Sequence, residues 1–288
     1  MTGTGRERIA VVTGASRGAG KGIALALGAA GVTVYITGRT TQPGTNPLPG
    51  TVFETAEQVT RAGGRGVAVV CDHGDDAQVE ELFKRIGKEH GYLDILVNNA
   101  QVAPEGVLDH GPFWERPKNL IDMLEIGARS SYIASWYAAP LLIKSEAGLL
   151  VNTSGFGGGC YMHGPAYGAG KAAADKMAHD MGIDFRPYNV CAVSLWMALL
   201  RTERTEQMFK EQPEVFGERA KKAESPVFVG RVIDALSRAP DRMERSAKVW
   251  IAAELGQELG VLEDNGSVPE SCRAALGGPW DYNPAIIG

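Results

Sequence analysis

Three side chains in the stretch Ser154 to Lys171, SGFGGGCYMHGPAYGAGK, have the types and spacing for acid–base chemistry. Tyr167 and Lys171 are four apart just after Pro165, where a helix would begin, and residues four apart stack on one helix face. The Lys171 ammonium would then lie beside the Tyr167 phenol. A free phenol has a pKa of about 10, so an acid or base that works near neutrality needs its anion stabilised by roughly 3 units. An opposite charge within hydrogen-bonding range typically supplies roughly 1 to 3 of these. Tyr-x-x-x-Lys is unspecific by itself in a chain with 8 tyrosines, and its weight comes from the elements that precede it.

Those elements alternate. The apolar strand IAVVT (9–13) runs into the glycine turn GASRGAG and then an Ala/Leu-rich helix ending at Gly31. In such a turn Gly14, Gly18 and Gly20 let the backbone approach a pyrophosphate, whose charge is met by the N–H groups and positive dipole end of the helix. A second strand, 32–37, ends in Gly38, Arg39 and Thr40. An acid at that point would suit the ribose 2′-hydroxyl of NAD; Arg39, with Arg17 in the glycine turn, suits the 2′-phosphate of NADP. The sequence thus points to NADP, with NAD as the alternative. Two solvated surface arginines are the bland reading of the same pair.

Further along, a helix over about 53–62 leads to GRGVAVVCD, a strand ending at Asp72, and a helix over 76–89 returns to the strand YLDILVNNA. An irregular insert, 101–119, precedes a long helix through Tyr132 and Leu141. GLLVNTS delivers Ser154 at its carboxyl end, NVCAVSLW is a sixth strand, and KVWIAAELG a seventh. The segment 201–223 is charged and amphipathic, a flap or lobe over the site, and the tail to Gly288 is irregular. Strands alternating with helices predict an α/β fold of the Rossmann type, a doubly wound parallel sheet of about seven strands. Residues 5–288 would form one domain, with a substrate-covering helical segment around 199–225. Ligands would bind at the carboxyl ends of the strands, where Asp72 and Asn99 fall.

Composition narrows the partners. The 29 basic and 34 acidic residues leave a net charge of −5, so neither nucleic acid nor an anionic membrane is expected. No signal-peptide stretch opens the chain, and the four cysteines form no Cys-x-x-Cys, which together predict a reduced, cytoplasmic setting without disulfides. No histidines have metal-ligand spacing, and no metal site is expected. The Gly and Ala residues of 168–174 would let another helix approach closely, and a homodimer or homotetramer is expected.

With these residues in hand, the chain resembles the short-chain dehydrogenase/reductase superfamily over nearly its whole length. The matching motifs are T-G-x-x-x-G-x-G at 13–20, N-N-A at 98–100, a serine 13 residues before the tyrosine at Ser154, and Y-x-x-x-K at Tyr167 and Lys171. The resemblance implies an oxidoreductase that moves a hydride between nicotinamide and a carbonyl or alcohol carbon. It makes Tyr167 the general acid or base, Lys171 the group that lowers its pKa and holds the nicotinamide ribose, and Ser154 a hydrogen-bond partner of the reacting oxygen. Thr202 matches the threonine that contacts the nicotinamide carboxamide, Asp72 and Asn99 match adenine-side contacts, and Ser16, Thr40 and Ala100 join the cofactor-facing set.

Three departures stand out. The asparagine of the long helix, which serves a water-linked proton relay behind the lysine, falls at Gly127; the glycine after N-N-A is Gln101; and a Pro-Gly pair after the sixth strand is Met197 and Ala198. They motivate an alternative reading, a nucleotide-binding sensor or scaffold with impaired turnover. A sugar-nucleotide epimerase or dehydratase is disfavoured, because Arg17 stands where those relatives carry the middle glycine. Phe156, Tyr161, Met162, Trp196 and Met208 suggest an apolar or aromatic substrate.

Overall fold

A computed structural model gives the structure of residues 6–287; positions 5 and 288, the outermost ends of the predicted domain, lie outside the described residues. Seven strands, β1 (Ile9–Val12), β2 (Thr33–Gly38), β3 (Arg65–Val70), β4 (Ile95–Asn98), β5 (Leu149–Gly155), β6 (Cys191–Met197) and β7 (Lys248–Ile251), form one sheet in the order β3-β2-β1-β4-β5-β6-β7. Every pairing is parallel. The interior strands are buried along almost their whole length and contain apolar runs because helices cover both faces, which removes the alternation of a half-exposed strand. One face packs against α1 (Gly18–Ala29), α2 (Val52–Arg61) and α9 (Pro226–Arg238), the other against α3 (Asp76–Glu89) and α5 (Ser130–Leu142). The winding reverses between β1 and β4, and an open crevice at that switch point is where this topology binds ligands.

Two expected boundaries move. The seventh strand stops at Ile251, and the AAELGQE that follows is helix α10 (Ala252–Glu258), as its strong helix formers favour. The long helix is three pieces: α4 (Asp122–Leu124), a π-helical turn over Glu125–Arg129 and α5. That wide turn centres on Gly127, and turns of this kind are common at functional sites.

Helix α6 (Pro165–Phe185) carries Tyr167 and Lys171, as the spacing predicts. Among its small residues, Gly168 faces the Gly157 carbonyl, which an added Cβ would meet at 3.1 Å, whereas a Cβ at Gly170 would make only an ordinary contact with the Met123 carbonyl at 3.6 Å. The segment predicted as a lobe is α7 (Glu203–Glu211) and α8 (Pro213–Lys221), and neither helix has a fully buried residue. A parallel bridge between Leu200 and Glu224 closes its base. After a short α11 (Arg273–Leu276), the tail lays Tyr282 on His179 of α6, ring centroids 4.5 Å apart. Among the described residues, no helix is long and apolar enough to cross a membrane, and no cluster of three metal-ligating side chains occurs.

Candidate active site

The first turn of α1 sets the geometry of the crevice. Gly14 and Gly18 have φ of +63° and +60°, in the left-handed region that glycine enters without strain. Arg17, at the N-cap position, is extended and gives the helix no side-chain cap, so the leading N–H groups of α1 face outward. Such a cradle of amides at a helix N-terminus fits a dinucleotide's pyrophosphate. Asn99 holds the turn: its side-chain amide donates to the carbonyls of Thr13 (2.9 Å) and Gly14 (3.2 Å). Thr13 Oγ1 in return accepts the backbone N–H of Asn99 (2.8 Å) and of Ala100 (2.9 Å).

Gly14, Ser16, Arg17, Gly18, Arg39, Thr40, Asp72, Asn99, Ala100 and Thr202 all line one crevice of ≈ 790 Å³. Gly20 lies beneath it, where a Cβ would come within 2.5 Å of Asn99 Nδ2. Several side chains have partners that the sequence did not suggest. Arg17 donates to the carbonyls of Pro49 (3.0 Å) and Gly50 (2.7 Å), fastening the Pro/Gly-rich loop to the glycine turn. Arg39 is exposed, with Asp72 3.6 Å away as its ionic partner. Thr202 caps α7 in a reciprocal box with Thr205, so its hydroxyl is engaged within the chain. Beside Asp72, the buried His73 bonds Thr37 Oγ1 at 2.6 Å, and burial lowers its pKa to about 4, so the ring is neutral there.

Tyr167 and Lys171 are not among the residues lining that crevice; they project from α6 beside the carboxyl end of β5, Lys171 at Thr153 and Tyr167 at Gly155. The Tyr167 ring lies against Gly157, where a Cβ would be 2.4 Å from the ring carbon Cε1, so only glycine fits beneath it. His163 packs edge-on against the same ring, centroids 5.0 Å apart. Arg116, buried at the edge of the irregular insert, donates to the carbonyls of Gly106, Val107 and His163 and straps that insert to the entrance of α6. Arg116 was not singled out from the sequence.

Ser154 is buried, and its hydroxyl donates to the Lys171 carbonyl at 3.2 Å. The next residue, Gly155, borders the phenol: a Cβ there would be 3.7 Å from Tyr167 Oη.

The electrostatics also depart from the expectation. Lys171 Nζ is 5.6 Å from the Tyr167 ring centroid and donates to the Thr153 carbonyl at 3.4 Å. Burial, with the Cys160 thiol second, pushes the phenol above its ordinary value, and no lowering by Lys171 offsets it. Burial lowers Lys171 itself to about 8, opposed by the charge of Asp175. Asp175 lies a further turn along α6 and is buried, accepting from Ser194 Oγ (2.6 Å) and Trp196 Nε1 (2.9 Å). Burial raises its pKa, while the hydroxyls of Ser194 and Ser154, the Trp196 indole and Lys171 oppose the rise. The signal for it was available: Tyr167, Lys171 and Asp175 repeat every four residues, on one face.

The departures at Gly127 and Gln101 prove to be neighbours. A Cβ at Gly127 would lie 2.8 Å from Gln101 Oε1, so the side chain after N-N-A fills the space over the glycine. The apolar set suggested for substrate is dispersed. Phe156 and Trp196 belong to a small core with Ile251 and Ala253, Met162 packs on that core, and Tyr161 is exposed. Met208 is half-buried in the lobe.

The model of the family described as short chain dehydrogenase matches residues 8–213. Dehydrogenase/reductase SDR family member 1 of Mus musculus is 37% identical over 276 residues, covering 91% of this chain and 84% of its own. Its Homo sapiens counterpart is 37% identical over 270 residues, covering 90% and 84%. Among solved structures, a 3-oxoacyl-[acyl-carrier protein] reductase from Brucella melitensis in complex with NAD has a TM-score of 0.72 at 18% identity, covering 86% of this chain and 96% of its own. An actinorhodin polyketide ketoreductase with NADPH has a TM-score of 0.72 at 21% identity, covering 85% and 95%. These two share the fold. The family match and the two relatives that span nine-tenths of the sequence go further: the chain belongs to the short-chain dehydrogenase/reductase family of NAD(P)-dependent oxidoreductases.

Proposed function

We propose that the chain is an NADP(H)-dependent reductase or dehydrogenase of a small carbonyl or alcohol compound, with Tyr167 as the group that gives or takes the proton. A bound nicotinamide supplies or accepts the hydride; the protein's part is orientation and the proton. The observation that carries the reading is the position of Tyr167: half-buried at the carboxyl end of β5, with its hydroxyl facing the space left by Gly155. A carbonyl oxygen in that space would accept the phenolic proton. Lys171, one turn along the same helix with its Nζ 5.6 Å from the Tyr167 ring centroid, is the cation beside the phenol, and Asp175 keeps it charged to a higher pH than burial alone would allow.

NADP is preferred on the strength of Arg39, the exposed cation at the end of β2. The ketoreductase was solved with NADPH and the 3-oxoacyl reductase with NAD, so the fold accommodates either dinucleotide and the choice falls to local residues. Losing one charge-assisted contact typically costs about 1.5 to 3 kcal/mol, or roughly tenfold to 150-fold in affinity. Arg39→Ala is therefore expected to weaken NADPH while leaving NADH nearly unchanged, as measured by two dissociation constants. An unaltered NADPH preference in that variant sinks the assignment.

The acid–base role is tested by NADPH consumption over a panel of ketones and aldehydes. Tyr167→Phe keeps the ring over Gly157 but removes the transferable proton, so turnover is expected to fall roughly 10²- to 10⁴-fold with NADPH affinity retained. Undiminished turnover in the phenylalanine variant would move the proton to another group.

A further inference from the structure

The outward-facing amide at the start of α1 has a partner from the far side of the crevice. Gly18 N–H donates to Glu203 Oε2 at 2.8 Å, and Glu203 is the first residue of α7, at the near edge of the lobe. Arg17 offers no acceptor at the N-cap and has turned its guanidinium to the Pro49 and Gly50 carbonyls. A carboxylate from 185 residues along the chain thus stands at the positive end of a twelve-residue helix, where a negative charge is stabilised. The lobe it belongs to is lightly held: α7 and α8 bury no side chain fully, and Leu200 and Glu224 pair only at its base.

We propose that Glu203 is a built-in stand-in for the cofactor's phosphates, so that the dinucleotide and the lobe compete for the amide of Gly18. This rests on the dinucleotide reading given above. A pyrophosphate brings negative charge to the same N–H groups, and a carboxylate held beside it is repelled as well as displaced. Binding of the cofactor then detaches the leading edge of α7, and the lobe, pivoting on its Leu200–Glu224 base, changes its position over the site at the step when cofactor enters. Glu203 sets the affinity for the phosphate part of the ligand while leaving the adenosine part untouched.

The experiment titrates wild type and Glu203→Gln with NADPH, inorganic pyrophosphate and adenosine, following heat or intrinsic fluorescence. The glutamine keeps the size and an acceptor but removes the charge. NADPH and pyrophosphate are expected to bind the variant on the order of tenfold more tightly, the size of one charge-assisted contact, with adenosine unchanged. In wild type, hydrogen exchange of the amides in 203–211 is expected to quicken when NADPH is added. Equal NADPH and pyrophosphate affinities in the two proteins overturn the inference, as does an equal gain for adenosine, which would mean a generally opened crevice. Failure of both proteins, folded by circular dichroism, to bind either NADPH or NADH overturns the cofactor reading itself and this inference with it.

Discussion

At Tyr167 two neighbouring strand positions make different contacts. Ser154 is hydrogen-bonded to the Lys171 carbonyl and Gly155 borders the phenol, so two substitutions test which of them serves the reacting oxygen. Ser154→Ala removes a buried hydrogen bond and is expected to cost about 1 kcal/mol of stability, read as a lower melting temperature, with turnover nearly unchanged. Gly155→Ser puts its Cβ at 3.7 Å from Tyr167 Oη, an ordinary contact, and adds a hydroxyl that can bond the reacting oxygen; turnover is expected to rise. A Ser154→Ala protein that melts normally but has lost most of its turnover would contradict the geometry. The spacing of 13 is counted along the chain, whereas the facing of a strand residue depends on whether its position is odd or even. The turn at 156–158 and the loop to Pro165 decide which of the two meets the helix, and no residue in that loop announces the answer.

Among the elements, the sheet and the glycine turn were legible because each is written in composition: continuous apolar runs for strands covered on both faces, and glycines where the backbone must turn. The end of β7 was less so, since IAAEL is apolar enough for a strand while its Ala, Glu and Leu are also strong helix formers, and the helix they form packs beside α9. The base of the lobe holds a charge that no sequence pattern revealed. Glu224 is buried, and burial raises its pKa to about 7, with Glu263 adding to the rise and the Ala198 amide only partly offsetting it. Its folded-state pKa thus lies above the ordinary 4.5, so the stability it contributes is fully present below about 4.5 and lost as pH rises through about 7. Glu224→Gln is expected to raise the melting temperature by a few degrees at pH 8 and to leave it unchanged at pH 4. Thermal melts at the two values check this; a variant less stable at pH 8 would mean that the ionised carboxylate has a partner.

For the whole molecule, assembly is expected through α6 and the long helix before it. In α6, Gly168 packs near the Gly157 carbonyl and the tail covers part of the surface through Tyr282. Helix α5 leaves Tyr132 and Trp136 exposed, at 50% and 62%, and large apolar groups together on a surface mark an interaction face. Two copies meeting through α5 would form a symmetric dimer, each tryptophan covered by its mate. Sedimentation at micromolar concentration is expected to give a dimer or tetramer for wild type and a smaller species for Trp136→Glu. A wild-type monomer, or an assembly indifferent to Trp136, would rule this face out.

The contact between Gln101 and Gly127 also constrains the history of the site. A Cβ at 127 would come within 2.8 Å of Gln101 Oε1, the far end of an exposed and flexible side chain, so the amide must swing aside when 127 gains a side chain. Position 101 is therefore the gate-keeper of the wide turn at 125–129: with a small residue there, a side chain at 127 is accommodated with no rearrangement, and across a lineage larger residues at 127 should be found more often beside small residues at 101.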